Sequence, residues 1–215
     1  MNQYVVLGIF GIISGIAASL ADVPLARPGK ANPGETLPLN GISPWWADVT
    51  DSRFIVSFWL SFLGQPGAYV TMWLLADLIS AQNNALALGL RIDTFIACYT
   101  GLVCHAVFCI KPVLYRRLCK KMSDDESLKV MNSIDPFMKV PMLIGALTLW
   151  LGSTVIVAAA ILTGALNVPK ICLLLNPVGA LLILFPLKKL GVRIPGVLGA
   201  GFILLSVLLI IASVL

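Results

Sequence analysis

Hydrophobic positions along this chain fall in long unbroken runs, with neither the alternation of a strand nor the single apolar stripe of a surface helix. Six such runs lie near 4–22, 54–79, 86–110, 138–165, 169–187 and 194–215. Each approaches the roughly 20 helical residues needed to cross a hydrocarbon core of about 30 Å. Closed barrels also satisfy the backbone in lipid, but they need short alternating segments, which these are not. The pattern predicts an all-α integral membrane bundle of six transmembrane helices forming a single domain. The first run is expected to remain as a helix: MNQY gives no basic leader, no small-residue cleavage site follows, and further spans come after it.

Composition fits this. Of the 215 residues 59% are hydrophobic and 12% charged, and the mean hydropathy is +0.95, which leaves too little polar surface to cover a soluble globule. Charge then sets orientation. Thirteen of the 15 Lys and Arg residues fall in the first, third and fifth connections: Arg27, Lys30 and Arg53; Lys111, Arg116, Arg117, Lys120, Lys121, Lys129 and Lys139; and Lys188, Lys189 and Arg193. The other side carries Arg91 and Lys170. Loops 1, 3 and 5 are therefore expected in the cytoplasm and both termini outside, in a multi-pass protein of the cell (inner) membrane. A basic rim facing anionic lipid accounts for the net charge of +5 without nucleic acid, for which no motif is present. Asp124, Asp125 and Glu126 make the third loop a mixed-charge solvated segment.

Small residues and prolines punctuate the runs. Gly8, Gly11, Gly15 and Ser19 recur at offsets of three and four, and Gly196, Gly199 and Ala200 open the last run, so both can admit close helix contacts. Two runs carry an amide followed by proline: Gln65-Pro66-Gly67 in the second, and Asn176-Pro177 with Gly179 in the fifth. Proline frees a backbone carbonyl and bends a helix, which marks polar spots near the bilayer centre. If the chain is two halves of three helices, a 3+3 arrangement, these breaks occupy corresponding places, as at the midplane site of an inverted-repeat transporter.

His105, the one histidine, lies in VCHAVFCIKPVLYRR, six residues before Lys111 and thus about 9 Å from the cytoplasmic end of its helix. Intramembrane ionisable groups are functional candidates by default. The nearest partner by depth is Asp22, which ends the first run ahead of the Pro/Gly-rich VPLARPGKANPGETLPLNGISPWW. Trp45 and Trp46 are expected at the interface, and Asp48, Thr50 and Asp51 are candidate caps for the next helix. Arg53, Lys111, Tyr115 and Lys139 enter the same region and either line a cytoplasm-facing polar pocket or snorkel to headgroups. On the other side, Asp77, Arg91, Asp93 and Lys170 lie near helix ends as a candidate ion-paired gate. Cys98, His105 and Cys109 share a helix face, but one imidazole with two thiols matches no familiar metal spacing, so no metal site is assigned and no cofactor is implied. The five cysteines suggest no disulfide framework.

The order of these motifs resembles an uncharacterised bacterial family of multi-pass membrane proteins, a domain of unknown function. The resemblance rests on Asp22, Trp46, Arg53-Phe54 with Ser57, Gly64 with Pro66, His105 with Pro112 and Tyr115, Pro169-Lys170, and Leu175-Asn176-Pro177. It covers most of the chain. Ala21 stands where glycine is expected, and ARPGK where a more acidic loop is expected. The resemblance implies a fold and a set of positions, and no activity.

Three functions follow as expectations. The first is binding or transport of a small amphipathic or lipid-like ligand, in a polar pocket between the second, third and fifth helices. Gln65, His105, Asn176, Asp22, Arg53, Trp46, Tyr115 and Lys111 are its candidate residues. The alternative is an intramembrane enzyme acting on a lipid or headgroup, with His105 as acid or base and Asp22 orienting it. The third is an assembly role towards a protein partner that the sequence does not identify.

Overall fold

The computed structural model describes residues 2–26, 44–189 and 196–215. Arg27, Lys30, the rest of ARPGK after Ala26, Arg193 and the side chains of Lys188 and Lys189 lie outside the described residues. Within them the protein is all helix and turn, with no strand. Helix α1 (Gln3–Ala21) starts where the Asn2 side chain accepts the Tyr4 N–H, and a short α2 (Val23–Ala26) follows. A 3-10 turn, Pro44–Asp48, leads into α3 (Asp51–Ser80). Helix α4 (Asn84–Leu118) is capped by Asn83, and α5 (Asp124–Asn132) by a reciprocal Ser123–Glu126 box. The Ser123 hydroxyl and amide hold the exposed Glu126 carboxyl below its ordinary range. Helix α6 (Pro136–Ala146) continues through a π turn, Leu147–Gly152, into α7 (Ser153–Leu162) as one rod. A 3-10 turn at Lys170–Leu174 precedes α8 (Pro177–Lys189), and α9 (Val197–Val214) ends the chain.

Among the described residues three helical stretches are long and apolar enough to cross a membrane: Gln3–Leu25, Asn84–Leu118 and Pro136–Leu162. Helix α3 has 30 residues, but Ser57, Ser61, Gln65 and Thr71 interrupt its apolar run. The run near 169–187 is not one helix. Pro177 begins α8, because proline at a first helical position loses no hydrogen bond, whereas Pro66 lies inside α3.

Glycines set the packing. Asn2 Nδ2 donates to Ser213 O at 2.9 Å and Ser19 Oγ donates to Gly196 O at 3.0 Å, so α1 and α9 run antiparallel and the chain's two ends lie side by side. Gly8, Gly11 and Gly15 admit Ile210, Ser206 and Ile203 of α9. Gly64 and Gly67 of α3 rest on Ser14, Ala17 and Phe10 of α1. Gly196, at φ 71°, holds a left-handed position against the Ser19 backbone that only glycine fills without strain. The rod crosses α4 through Gly145 on Thr100 and Gly152 on Asp93, seven residues apart on both helices. The core gathers Met72, Leu75, Ile79, Leu90, Val157, Phe202, Leu205, Leu208 and Leu209. The outward faces are apolar too: Leu63 is 67% exposed, Phe95 70% and Val155 63%.

A Cβ on Gly199 would collide with Ser19 and the Gly15 carbonyl, while one on Gly89 meets only Ile156 Cδ1 at 3.6 Å. Gly199→Ala is expected to cost on the order of 1–3 kcal/mol, measured as a lower unfolding temperature in detergent. Gly89→Ala should leave that temperature unchanged or higher.

Candidate functional site

Helices α3 and α4 form an antiparallel hairpin whose shared face carries polar groups at helical spacing. Ser57, Ser61 and Gln65 recur every four residues on α3, and Ala97, Gly101, His105 and Cys109 do so on α4. Tyr69 Oη donates to the Ala97 carbonyl at 3.1 Å, and Gly101 leaves room for that phenol and for the Gln65 side chain. Gln65 Nε2 donates to Ser61 Oγ at 2.6 Å, while its buried Oε1 has no described hydrogen-bond partner.

At the end of this seam sits His105. Its Nε2 lies 3.3 Å from both the Ser57 carbonyl and the Ser57 hydroxyl. A carbonyl only accepts, so Nε2 carries the hydrogen. The Ser57 hydroxyl donates its single proton to Ala21 O at 2.6 Å and accepts from Cys109 Sγ at 3.4 Å. One donation and two acceptances use all that a hydroxyl has. Asp22, at the C-terminal cap of α1, places Oδ1 3.8 Å from His105 Nδ1. At that separation the two lie beyond direct hydrogen-bond reach, and they form an ion pair where the imidazole is protonated.

Asp22, His105 and Ser57 thus stand in the order of a hydrolase triad, but the protons run the wrong way. A base must present a bare nitrogen to the serine hydroxyl, and Ser57 is fully buried with its proton given to Ala21. The geometry suits a joint between α1, α3 and α4 rather than nucleophilic attack.

The remaining candidates divide into separate neighbourhoods. Arg53 Nε donates to Pro24 O at 2.7 Å, and its guanidinium lies 5.0 Å over the Trp45 ring. Trp45 and Trp46 were expected at the interface, yet both are buried: they pack edge-on to one another, and Trp46 edge-on to Phe54, in a cluster with Leu25, Cys109, Tyr115 and Met131. The 3-10 turn at Pro44–Asp48 tucks them there. Lys111 is buried and meets Asp135 Oδ1 at 2.5 Å. Sequence reasoning did not single out Asp135, whose only signal was its place before Pro136 at a helix start. Asp51 binds Arg116 at 3.0 Å and Arg117 at 3.5 Å. Among the charges expected to form a gate, Arg91 pairs with Asp77 at 2.7 Å, while Asp93 makes no ion pair among the described residues.

Asn176 is occupied locally. Its Oδ1 accepts from Gly179 N–H at 2.8 Å and Thr154 Oγ1 at 3.2 Å, and its Nδ2 donates to Leu173 O at 2.5 Å. It is the N-cap of α8, and no described hydrogen bond connects it with Gln65 or His105. Among the described residues no group of three or more His, Cys, Asp or Glu side chains could hold a metal ion.

A groove of about 430 Å³ opens beside the Ser57–His105 joint, between α3 and α4. Phe54, Phe58, Trp59, Ile110 and Leu114 wall it, Cys109 reaches it from the buried side, and Arg117 brings it a positive charge.

The chain belongs to a family of unknown function, DUF6796, whose model matches residues 1–215. No curated protein and no solved structure matches it.

The Lys111–Asp135 pair ties α4 to the start of the rod. Lys111→Ala should destabilise the fold by about 1–3 kcal/mol, because it leaves the partly buried Asp135 carboxylate without its partner. The double variant Lys111→Met, Asp135→Leu should recover most of that loss. A double-mutant cycle on denaturant unfolding in detergent checks both values.

Proposed function

We propose that this member of a family of unknown function is an integral membrane protein that binds a small amphipathic, lipid-like ligand along the α3–α4 face. The groove carries the proposal. Its volume lies within the range of small-molecule sites, and its walls are aromatic and aliphatic. Arg117, its one charged lining residue among the described residues, stands at the end where Asp51 and Arg116 also gather. The apolar part of the ligand lies against Phe58 and Trp59, and an anionic end meets Arg117. The site is thereby moved from the three-helix pocket expected from the amide–proline pairs to the α3–α4 groove, because Asn176 is committed to capping α8.

The membrane reading is supported by the three long apolar stretches and by the apolar outward faces. Six crossings, by α1, α3, α4, the α6–α7 rod, α8 and α9, fit a chain whose ends lie together. Arg53, Lys111, Arg116 and Arg117 gather at the opposite end, which supports placing that end in the cytoplasm and the termini outside. Cys109 both lines the groove and bonds Ser57, so a change of proton at Asp22–His105 is felt at the groove wall. Transport of the same ligand is the extension of this reading; activation of Ser57 by His105 is disfavoured by the Nε2 hydrogen.

Native mass spectrometry of the detergent-purified protein tests the site. The wild type is expected to retain an anionic amphiphile, and Arg117→Glu to lose about tenfold in occupancy, the equivalent of ~1.4 kcal/mol. Ile110→Trp, which fills the groove, should lower it as well. Loss confined to Gln65→Ala or Asn176→Ala would return the ligand to the three-helix pocket. An empty wild-type protein after mild extraction would refute the binding reading.

A further inference from the structure

The interface between α4 and the rod holds an acid that no described donor or cation answers. Asp93 is 7% exposed. Its Oδ2 is inaccessible and without a hydrogen-bond partner among the described residues. Its Oδ1 rests on Gly152, the last residue of the π turn, where any Cβ would collide with it. Glycine at 152 therefore makes the space that the carboxyl occupies.

Neighbouring titratable groups are otherwise engaged or remote. Arg91, two residues earlier on α4, is bound to Asp77 of α3 at 2.7 Å, with its guanidinium 5.7 Å from the Trp73 ring. Tyr69 of α3 donates to the Ala97 carbonyl, and Cys98 of α4 is a free thiol. The π turn and α7 contain no titratable residue, and α6 contributes only the exposed Lys139, near its start. The other charges packed against α4 belong to its far end, near Lys111 and Asp51: those of the Pro44–Asp48 turn, of α5 and of the first turn of α3.

An ionised carboxylate in such surroundings has no counter-charge among the described residues and one oxygen closed to solvent, and a group so placed is neutralised instead. We propose that Asp93 is an intramembrane proton-binding site. The acid carries its proton in the state seen here, and the proton leaves when the α4–rod contact admits water or a donor. The placement beneath the π turn gives that exchange a structural counterpart. Such turns hold an extra residue in a helix and recur at functional sites, and a change in the winding of Leu147–Gly152 would alter what covers Oδ1. The proposal is independent of the ligand groove, which lies on a different part of α4.

Infrared spectroscopy of the purified protein tests it directly. At pH about 7, where solvated carboxyls with pKa near about 4 are ionised, the wild type is expected to show a carboxylic-acid carbonyl band that Asp93→Asn removes. Asp93→Glu should restore it at a shifted frequency, and Asp22→Asn should leave it in place. A spectrum without that band, or one unchanged in Asp93→Asn, would overturn the proposal. Dicyclohexylcarbodiimide supplies a second readout. The acid proton passes to one carbodiimide nitrogen, the carboxylate oxygen bonds the central carbon, and an oxygen-to-nitrogen acyl shift leaves a stable N-acylurea with no leaving group. The adduct on the Asp93 peptide should fall as pH rises. An adduct on that peptide whose yield does not change with pH would overturn the proton assignment.

Discussion

The Ser57 hydroxyl is the point on which this bundle depends. A helix leaves its last carbonyls without amide partners, and in an apolar interior no water is there to satisfy them. Helix α1 stops at Ala21, and Ser57 of α3 supplies the missing donor to that carbonyl. The same oxygen accepts from Cys109 and lies 3.3 Å from His105 Nε2. Three helices are therefore fixed in depth and rotation by one side chain. Arg53, one turn earlier on α3, repeats the device at Pro24 O, so the chain that leaves α1 is held along the start of α3.

Around this joint, α4 is the common neighbour of α3 on one side and the rod on the other. It meets α3 through the buried polar seam and the rod through Thr100 on Gly145 and Asp93 on Gly152. Lys111 and Asp135 then clamp the rod's start. Small residues admit close backbones and polar groups give direction, the combination that holds helices together when the surroundings are as apolar as the side chains. Helix α9 completes the core by lying antiparallel to α1 and sharing the Thr71–Ser206 contact at 3.3 Å with α3.

Apolar runs foretold α1, α3, α4, the rod and α9, because helix formation in such runs depends on nothing distant, whereas the run near 169–187 divides at Pro177. The depth argument likewise brought Asp22 and His105 to one level, and they stand 3.8 Å apart. What sequence left obscure depends on partners far along the chain. Asn176-Pro177 has the same letters whether it breaks a helix or begins one, and only the acceptance of Gly179 N–H and of Thr154 Oγ1 identifies a cap. Lys111 reads as a snorkelling side chain until Asp135, 24 residues on, is folded beside it. Trp45 and Trp46 read as interface anchors because the burial that a 3-10 turn imposes has no periodic signature. Ser57, inside FIVSFWL, carried no mark of its place beyond its position in the family-like motif.

Asp22 and Asp93 show how the same side chain is put to different uses by its surroundings. The Asp22 side chain is 40% exposed and faces an imidazole whose Nε2 hydrogen is pinned by Ser57, so its charge is set jointly with His105. Asp93 faces glycine and has no such companion. A proton moving between water and Asp22–His105 has only to cross a polar helix end. One moving to Asp93 must separate α4 from the rod, or rewind the turn that covers it. The first group can follow the pH of the compartment it faces, and through Cys109 it adjoins the groove. The second exchanges its proton with water only while the bundle is open, so its response to pH is gated by conformation.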